Sequence, residues 1–236
     1  MYKRQGQDTI YYMTGESRQH IVNSPHMEAF KAKGIEVLVL ADPVDEMWVT
    51  GGAEFEGKTF QSIAKGAVDL DGDSDDEDSS SKDEQNKAFE GLLGWLGTTL
   101  SDDISEARLS TRLTESPACL VGDTFSMSPQ LEKLYRASGQ QFPKSKRALE
   151  LNPDHPLVIG LNKAHASGNS DELAATAKLV YGMALIAEGG ELDDPAEFAK
   201  LLAAQLTSSV TEAAGSSAGT SGDATTGDAT GEASES

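Results

Sequence analysis

A chain of 236 residues with 38% apolar side chains has room for one or two hydrophobic cores. Its formal net charge is -20, of which residues 69–84 carry -8 and residues 208–236 carry -5, so most of the acidity lies outside the core-forming stretches. That charge excludes nucleic acid and anionic membrane surfaces as partners. The single Cys119 excludes an intrachain disulfide framework and fits a reducing compartment. No run approaches the ~18 apolar residues of a membrane span, and MYKRQGQDTIYY lacks the apolar centre of a signal peptide, so the expected location is cytoplasmic.

The first elements read as an alternating β/α series. Residues 9–13 form a β-type run, and 35–40 form a second, apolar enough for a strand covered on both faces. Between them Ser24-Pro25 reads as an N-cap with proline in the first helical turn, Met27, Ala29 and Phe30 as the apolar stripe, and Gly34 as the stop. This is a β-α-β unit, with the two strands expected to be parallel. Asp42-Pro43 opens a helix carrying Val44, Met47 and Trp48, and a short strand follows at 59–63. The spacing then predicts a helix over 84–98, weakened by Gly91, Gly94 and Gly97 at about 1 kcal/mol each. Strands are expected at 104–111, 118–121 and 148–151, with a helix from Ser128-Pro129 to Gly139. Three helices close the series at 155–167, 171–188 and 195–206, the last opened by Asp194-Pro195 with Glu197 placed for a capping box. The layout is a small α/β piece over 1–66, an acidic linker over 67–84, an α+β piece over 85–207 ending in helices, and a tail over 208–236 too poor in apolar side chains to order.

The run DLDGDSDDED at 69–78 puts aspartates at alternate positions, as a calcium loop does. Such a loop also needs glycine at position 6 and a bidentate glutamate at position 12. Started at Asp69 those positions are Ser74 and Ser80; started at Asp71 they are Asp76 and Lys82. The run therefore reads as a solvated linker. His20, His26, His155 and His165 have no metal-pair spacing, Cys119 sits in an apolar strand, and Thr14-Gly15-Glu16-Ser17 lacks the lysine and glycine spacing of a phosphate loop. No catalytic residue and no metal ligand is assigned, and the chain is not expected to be an enzyme.

Two features point to binding. Met127, Leu131, Leu134 and Tyr135 share one helical stripe, with Phe125 just before it. The stripe is either packed on its own domain or exposed to apolar segments of other proteins, since methionine and aromatic side chains accommodate varied partners. In 171–188 apolar residues run nearly all the way round, and in the last helix Phe198, Leu201, Leu202 and Leu206 recur at helical spacing. A helix apolar on most sides must be buried on most sides. A bundle between two copies would supply that cover, giving a homodimer through Leu173, Ala177, Val180, Ala184, Phe198, Leu201 and Leu202.

IYYMTGES at 10–17, NSPHME at 23–28, GIEVLVL at 34–40, DPVDE at 42–46, FEGK at 55–58, RLTESPA at 112–118 and LELNPDHP at 149–156 together resemble the heat shock protein 90 family of chaperones in its bacterial form, the high-temperature protein G type. The likeness runs in order over about residues 9–206. It implies the end of the family's middle domain up to residue 66 and its carboxy-terminal dimerisation domain beyond the linker. It also implies unfolded or partly folded client proteins as partners, met by Phe125, Met127, Leu131, Leu134 and Tyr135. The family is ATP-driven and uses magnesium, but its nucleotide domain and catalytic-loop arginine match nothing here, so no cofactor is expected in this chain. The competing expectation is a non-chaperone oligomerisation module with the 125–135 stripe buried.

Overall fold

The computed structural model describes residues 9–49, 52, 54–66, 68, 76–124, 126–139, 145–168 and 170–217. Phe125, the aspartates from Asp69 to Asp75, and the tail beyond Ser217 lie outside the described residues. Among the described residues, two sheets and eight α-helices make a mixed α/β architecture.

The first sheet has the order β2-β1-β4-β3. Strand β1 (Thr9–Thr14) is central, with β2 (Leu38–Leu40) and β4 (Lys58–Ser62) parallel to it and β3 (Glu54–Phe55) closing a hairpin onto β4. Helices α1 (Arg18–Val22) and α2 (Glu28–Ala32) with the 3-10 turn Pro25–Met27 form the crossover from β1 to β2, and α3 (Pro43–Val49) follows. The parallel β-α-β unit is present as expected. Strand β2 differs: it spans only three residues, lies at the sheet edge and leaves Leu38 exposed. Tertiary position, not the apolar run, set its cover. Met13, Ile21, Phe30 and Ile63 form the core on this side.

Helix α4 (Asp76–Thr99) enters the second unit. It starts well before residue 84, so part of the acidic run has helical backbone instead of linker. Its glycines do not break it, because Leu92, Leu96 and Leu100 recur every four residues and are all buried in the main core. The second sheet has the order β5-β7-β6: β7 (Arg147–Leu151) is central, parallel to β5 (Ile104–Leu109) and antiparallel to β6 (Ala118–Val121). Helix α5 (Pro129–Ala137) connects β6 to β7. Helices α6 (Pro156–Ala166) and α7 (Ser170–Ala187) cover the sheet with α4, and α8 (Pro195–Ser217) packs along α7. Where no order was expected after residue 208, α8 continues to Ser217.

Helix α8 meets α7 at Gly182, where a Cβ would stand 2.5 Å from the Phe198 ring, so glycine is what lets the aromatic ring seat. Asp194 caps α8 by accepting from Ala196 N (3.0 Å) and Glu197 N (2.8 Å). The expected capping box is not completed. Glu197 instead pairs with Lys178 of α7 at 2.9 Å, because that cation lies within its reach.

The two units are joined by polar chemistry. Arg112 is 1% exposed and donates to Glu150 Oε2 (2.9 Å), Ile63 O (2.6 Å) and Gly66 O (2.8 Å). Glu150, on β7, also accepts from Arg108 and Ser110. The Glu28 carboxylate of α2 accepts from the N–H groups of Thr114 (2.7 Å), Glu115 (2.8 Å) and Ser116 (3.0 Å). Burial works to raise its carboxyl, but these bonds outweigh burial and hold it below the ordinary value. Backbone bonds between Gly66 and Gly122 (2.8 Å) and between Gly122 and Ala64 (3.1 Å) complete the joint.

Candidate functional site

Helix α5 inverts the usual surface-helix arrangement. It is strongly amphipathic, yet none of its residues is buried. Ser128 starts it, its hydroxyl accepting from Leu131 N at 3.1 Å, with Pro129 in the first turn. What binds it to the body is its polar side. Glu132 meets the buried Arg147 at 3.0 Å, Lys133 meets Glu16 at 2.6 Å, and Arg136 meets Glu191 at 3.2 Å. These anchors come from β7, from the turn after β1 and from the α7–α8 connection, so both units hold the helix. Arg147 also reaches Glu188 at 3.4 Å. Burial pushes the Glu188 carboxyl up to about 7, helped by the charge of Glu132 and opposed by Arg147. The bond from Lys133 holds the Glu16 carboxyl below its usual range.

Glu132 and Lys133 turn toward the body while the Arg136–Glu191 pair stays exposed, and the helix leaves apolar atoms outward as well. Leu134 is 53% exposed, and Met127, Leu131 and Tyr135 are half-buried. Leu131, Leu134 and Ala137 line a groove of about 400 Å³ whose facing wall is Ala41 and Pro43 at the start of α3. Further along α3, Val44 and Met47 are 61% and 64% exposed. Of the five expected client-contact residues, Leu131 and Leu134 line this groove, Met127 and Tyr135 are not part of its lining, and Phe125 lies outside the described residues. In the sequence α3 reads only as a helix carrying Val44, Met47 and Trp48, and nothing local says which way such a stripe faces.

The residues expected at a second copy divide differently. Ala177, Val180 and Ala184 are enclosed in the chain's own core with Leu149, Leu151 and Leu185. Leu173, Phe198 and Leu201 are half-buried, and Leu202 is exposed. The apolar surface left open on these helices is Leu202, Leu206 and Val210, one turn apart on α8, with Met183 and Ile186 on α7. The premise that one copy cannot cover α7 is corrected: β6, α4 and α6 of the same chain pack on it.

The remaining candidates have structural roles. Cys119 is buried, and burial raises its thiol well above the ordinary value. His155 caps α6, its Nδ1 accepting from Leu157 N at 3.1 Å. Burial holds the His26 imidazole down to about 3. His20 Nε2 lies 3.2 Å from Ala187 O, and the His165 ring lies tilted beside Trp95, centroids 5.5 Å apart. Ser17 of the turn after β1 accepts from His20 N as the cap of α1. Among the described residues no group of histidine, cysteine and acidic side chains has the arrangement of a metal site, and no helix is long and apolar enough to cross a membrane.

Comparison with known proteins gives a consistent picture. The model of the HSP90 protein family matches residues 2–236. The chain is 61% identical over 209 residues to the chaperone protein HtpG of Rhodococcus jostii, covering 88% of this chain and 33% of that protein. It is 58% identical over 214 residues to the chaperone protein HtpG of Nocardia farcinica, covering 87% of this chain and 33% of that one. It is also 58% identical over 210 residues to that of Mycolicibacterium gilvum, covering 88% of this chain and 32% of its relative. The chain spans about a third of the length of these curated relatives.

Proposed function

This chain belongs to the HSP90 family of chaperones, and we propose that it forms a client-contacting and self-associating part of such a chaperone. The observation that carries the reading is α5: an amphipathic helix latched by its charged side, with Leu131 and Leu134 directed to an apolar groove shared with α3. A helix serving only to pack its own domain would turn those residues inward, and none is buried. The oligomerisation-module reading needs that stripe covered, so it is the weaker of the two. Partly folded proteins offer short apolar segments, which such a groove holds weakly and reversibly.

Self-association is assigned to the open stripe of α8, Leu202, Leu206 and Val210. Pairing two copies across that stripe removes apolar surface from water at about 25 cal/mol per Å² and sets two grooves on one particle, which raises avidity. No residue of this chain is assigned to nucleotide.

The test is suppression of aggregation of a thermally unfolding protein by the intact chain and by Leu131→Gln with Leu134→Gln. The double variant is expected to lose most of the suppression while keeping its circular dichroism and melting temperature; equal suppression by both would remove α5 from the contact surface. Sedimentation at micromolar concentration tests the second part: the chain is expected to run as a dimer, and Leu202→Glu with Leu206→Glu as a monomer. Magnesium-ATP is expected to alter neither result.

A further inference from the structure

We infer that a second cavity, at the joint between the two units, is a binding site for a small carboxylate with an aromatic or aliphatic body. Its volume is about 340 Å³, within the ~300–1,000 Å³ of sites that enclose small ligands. Tyr12 of β1, Val49 of α3 and Phe60 of β4 line it from the first unit. Lys65 and Gly66 lie at the joint, and Thr124 lines it from the second unit. No residue of α5 takes part.

The lining defines the ligand. Val49 and the rings of Tyr12 and Phe60, 6.4 Å apart, supply carbon for an apolar body. The polar groups call for an acceptor. In a chain of net charge -20, Lys65 is the one charged side chain among the described residues of this lining, and no acid joins it there. Tyr12 is 8% exposed and the Lys65 side chain 14%. Among the described residues neither the Tyr12 hydroxyl nor the Lys65 ammonium forms a hydrogen bond. Glu46 Oε1 stands 4.0 Å from Lys65 Nζ, beyond hydrogen-bond reach. Burial holds the Lys65 ammonium below its ordinary value despite Glu46, and burial together with the Glu46 charge raises the Tyr12 hydroxyl. Ser62 is committed to its own turn, its hydroxyl accepting from Ala64 N at 3.3 Å. Glycine at 66 leaves room for Thr124 Oγ1, which a Cβ there would meet at 3.0 Å, so this hydroxyl adds a third donor. Carboxylate oxygens offer the lone pairs that these donors lack. Glu46 cancels part of the Lys65 field, which favours a singly charged head over a phosphate dianion.

Benzoate, benzamide and inorganic phosphate, titrated into the full chain and followed by the amide chemical shifts of Tyr12, Gly66 and Gly122, test this. At ~50 mM salt benzoate is expected to bind with a roughly millimolar Kd, as its few non-hydrogen atoms allow. It is expected to bind at least ~10-fold tighter than benzamide or phosphate. Tyr12→Phe removes one donor, keeps the ring, and is expected to weaken benzoate roughly 3- to 10-fold at an unchanged melting temperature. Lys65→Met is expected to bring benzoate to the level of benzamide; if the loss of the cation beside Glu46 unfolds that variant, Tyr12→Phe carries the test alone. No shift at these amides up to ~20 mM benzoate overturns the site. Equal binding of benzoate and benzamide overturns the selection of a carboxylate, and tighter binding of phosphate overturns the apolar body. Benzoate affinity unmoved by the variants that fold overturns the assignment to this cavity. None of these outcomes depends on client contact at α5.

Discussion

Helices α5 and α7 attach to the same body by opposite means. Helix α7 is held by apolar contact: Ala177, Val180, Ala184 and Leu185 sit among the buried leucines of β7, α4 and α6. Helix α5 is held by charge: Glu132, Lys133 and Arg136 reach three separate anchors, and the apolar side faces out. Apolar docking is insensitive to salt and removes the surface from further use. Polar docking is sensitive to pH and salt, and it leaves the apolar surface free for another molecule. A helix meant to present hydrophobic residues has to be secured by its other side.

The sharpest way to break the contrast is to place a charge in each helix. Val180→Asp buries a carboxylate without a partner, and the chain is expected to lose cooperative folding, a change of at least ~4 kcal/mol visible in thermal melts. Next comes the joint between the units. Arg112→Met removes the donors that hold Glu150, Ile63 O and Gly66 O, and about 3–5 kcal/mol of stability is expected to go with them in denaturant titrations. Arg112→Lys should recover only part of it, since an ammonium cannot reach all three acceptors in the plane of a guanidinium.

A smaller effect concerns the anchor beneath α5. The Glu188 carboxyl is raised from 4.5 to about 7, chiefly by burial, so the folded chain holds a proton there that the unfolded chain has released. The stability that Glu188 contributes is therefore expected to fall as pH rises from about 4.5 to about 7 and to level off above that. Glu188→Gln should flatten this part of the stability–pH curve; an unchanged slope would place the titration elsewhere. The smallest expected change is Leu134→Gln, within about 0.5 kcal/mol of the parent in denaturant unfolding, because the side chain is already half in water. A loss above ~2 kcal/mol would show that α5 packs its apolar side after all.

Much of the fold was legible because its signals are local. Ser128-Pro129, Asp194-Pro195 and His155-Pro156 start helices by caps that the next few residues complete. Residues 118–121 are a strand from end to end, as their apolar run requires. The errors arose where local signals competed with packing. Glycines over 91–97 argued for a weak helix, but Leu92, Leu96 and Leu100 on one face outweighed them. The apolar stretch 35–40 suggested a buried strand and became a short edge.

Sequence alone determined the order of elements, the parallel β-α-β start, the amphipathic stripe of α5 and the family resemblance, since each rests on residues near one another in the chain. Only the tertiary structure decided which side of each helix is covered. Arg112, Glu28 and Arg147 find partners 38, 88 and 41 residues away in Glu150, Ser116 and Glu188, and such pairings leave no periodic trace. The same physical reason turned α7 inward and α5 outward: a stripe records that a helix has two faces, and only its neighbours determine which face water meets.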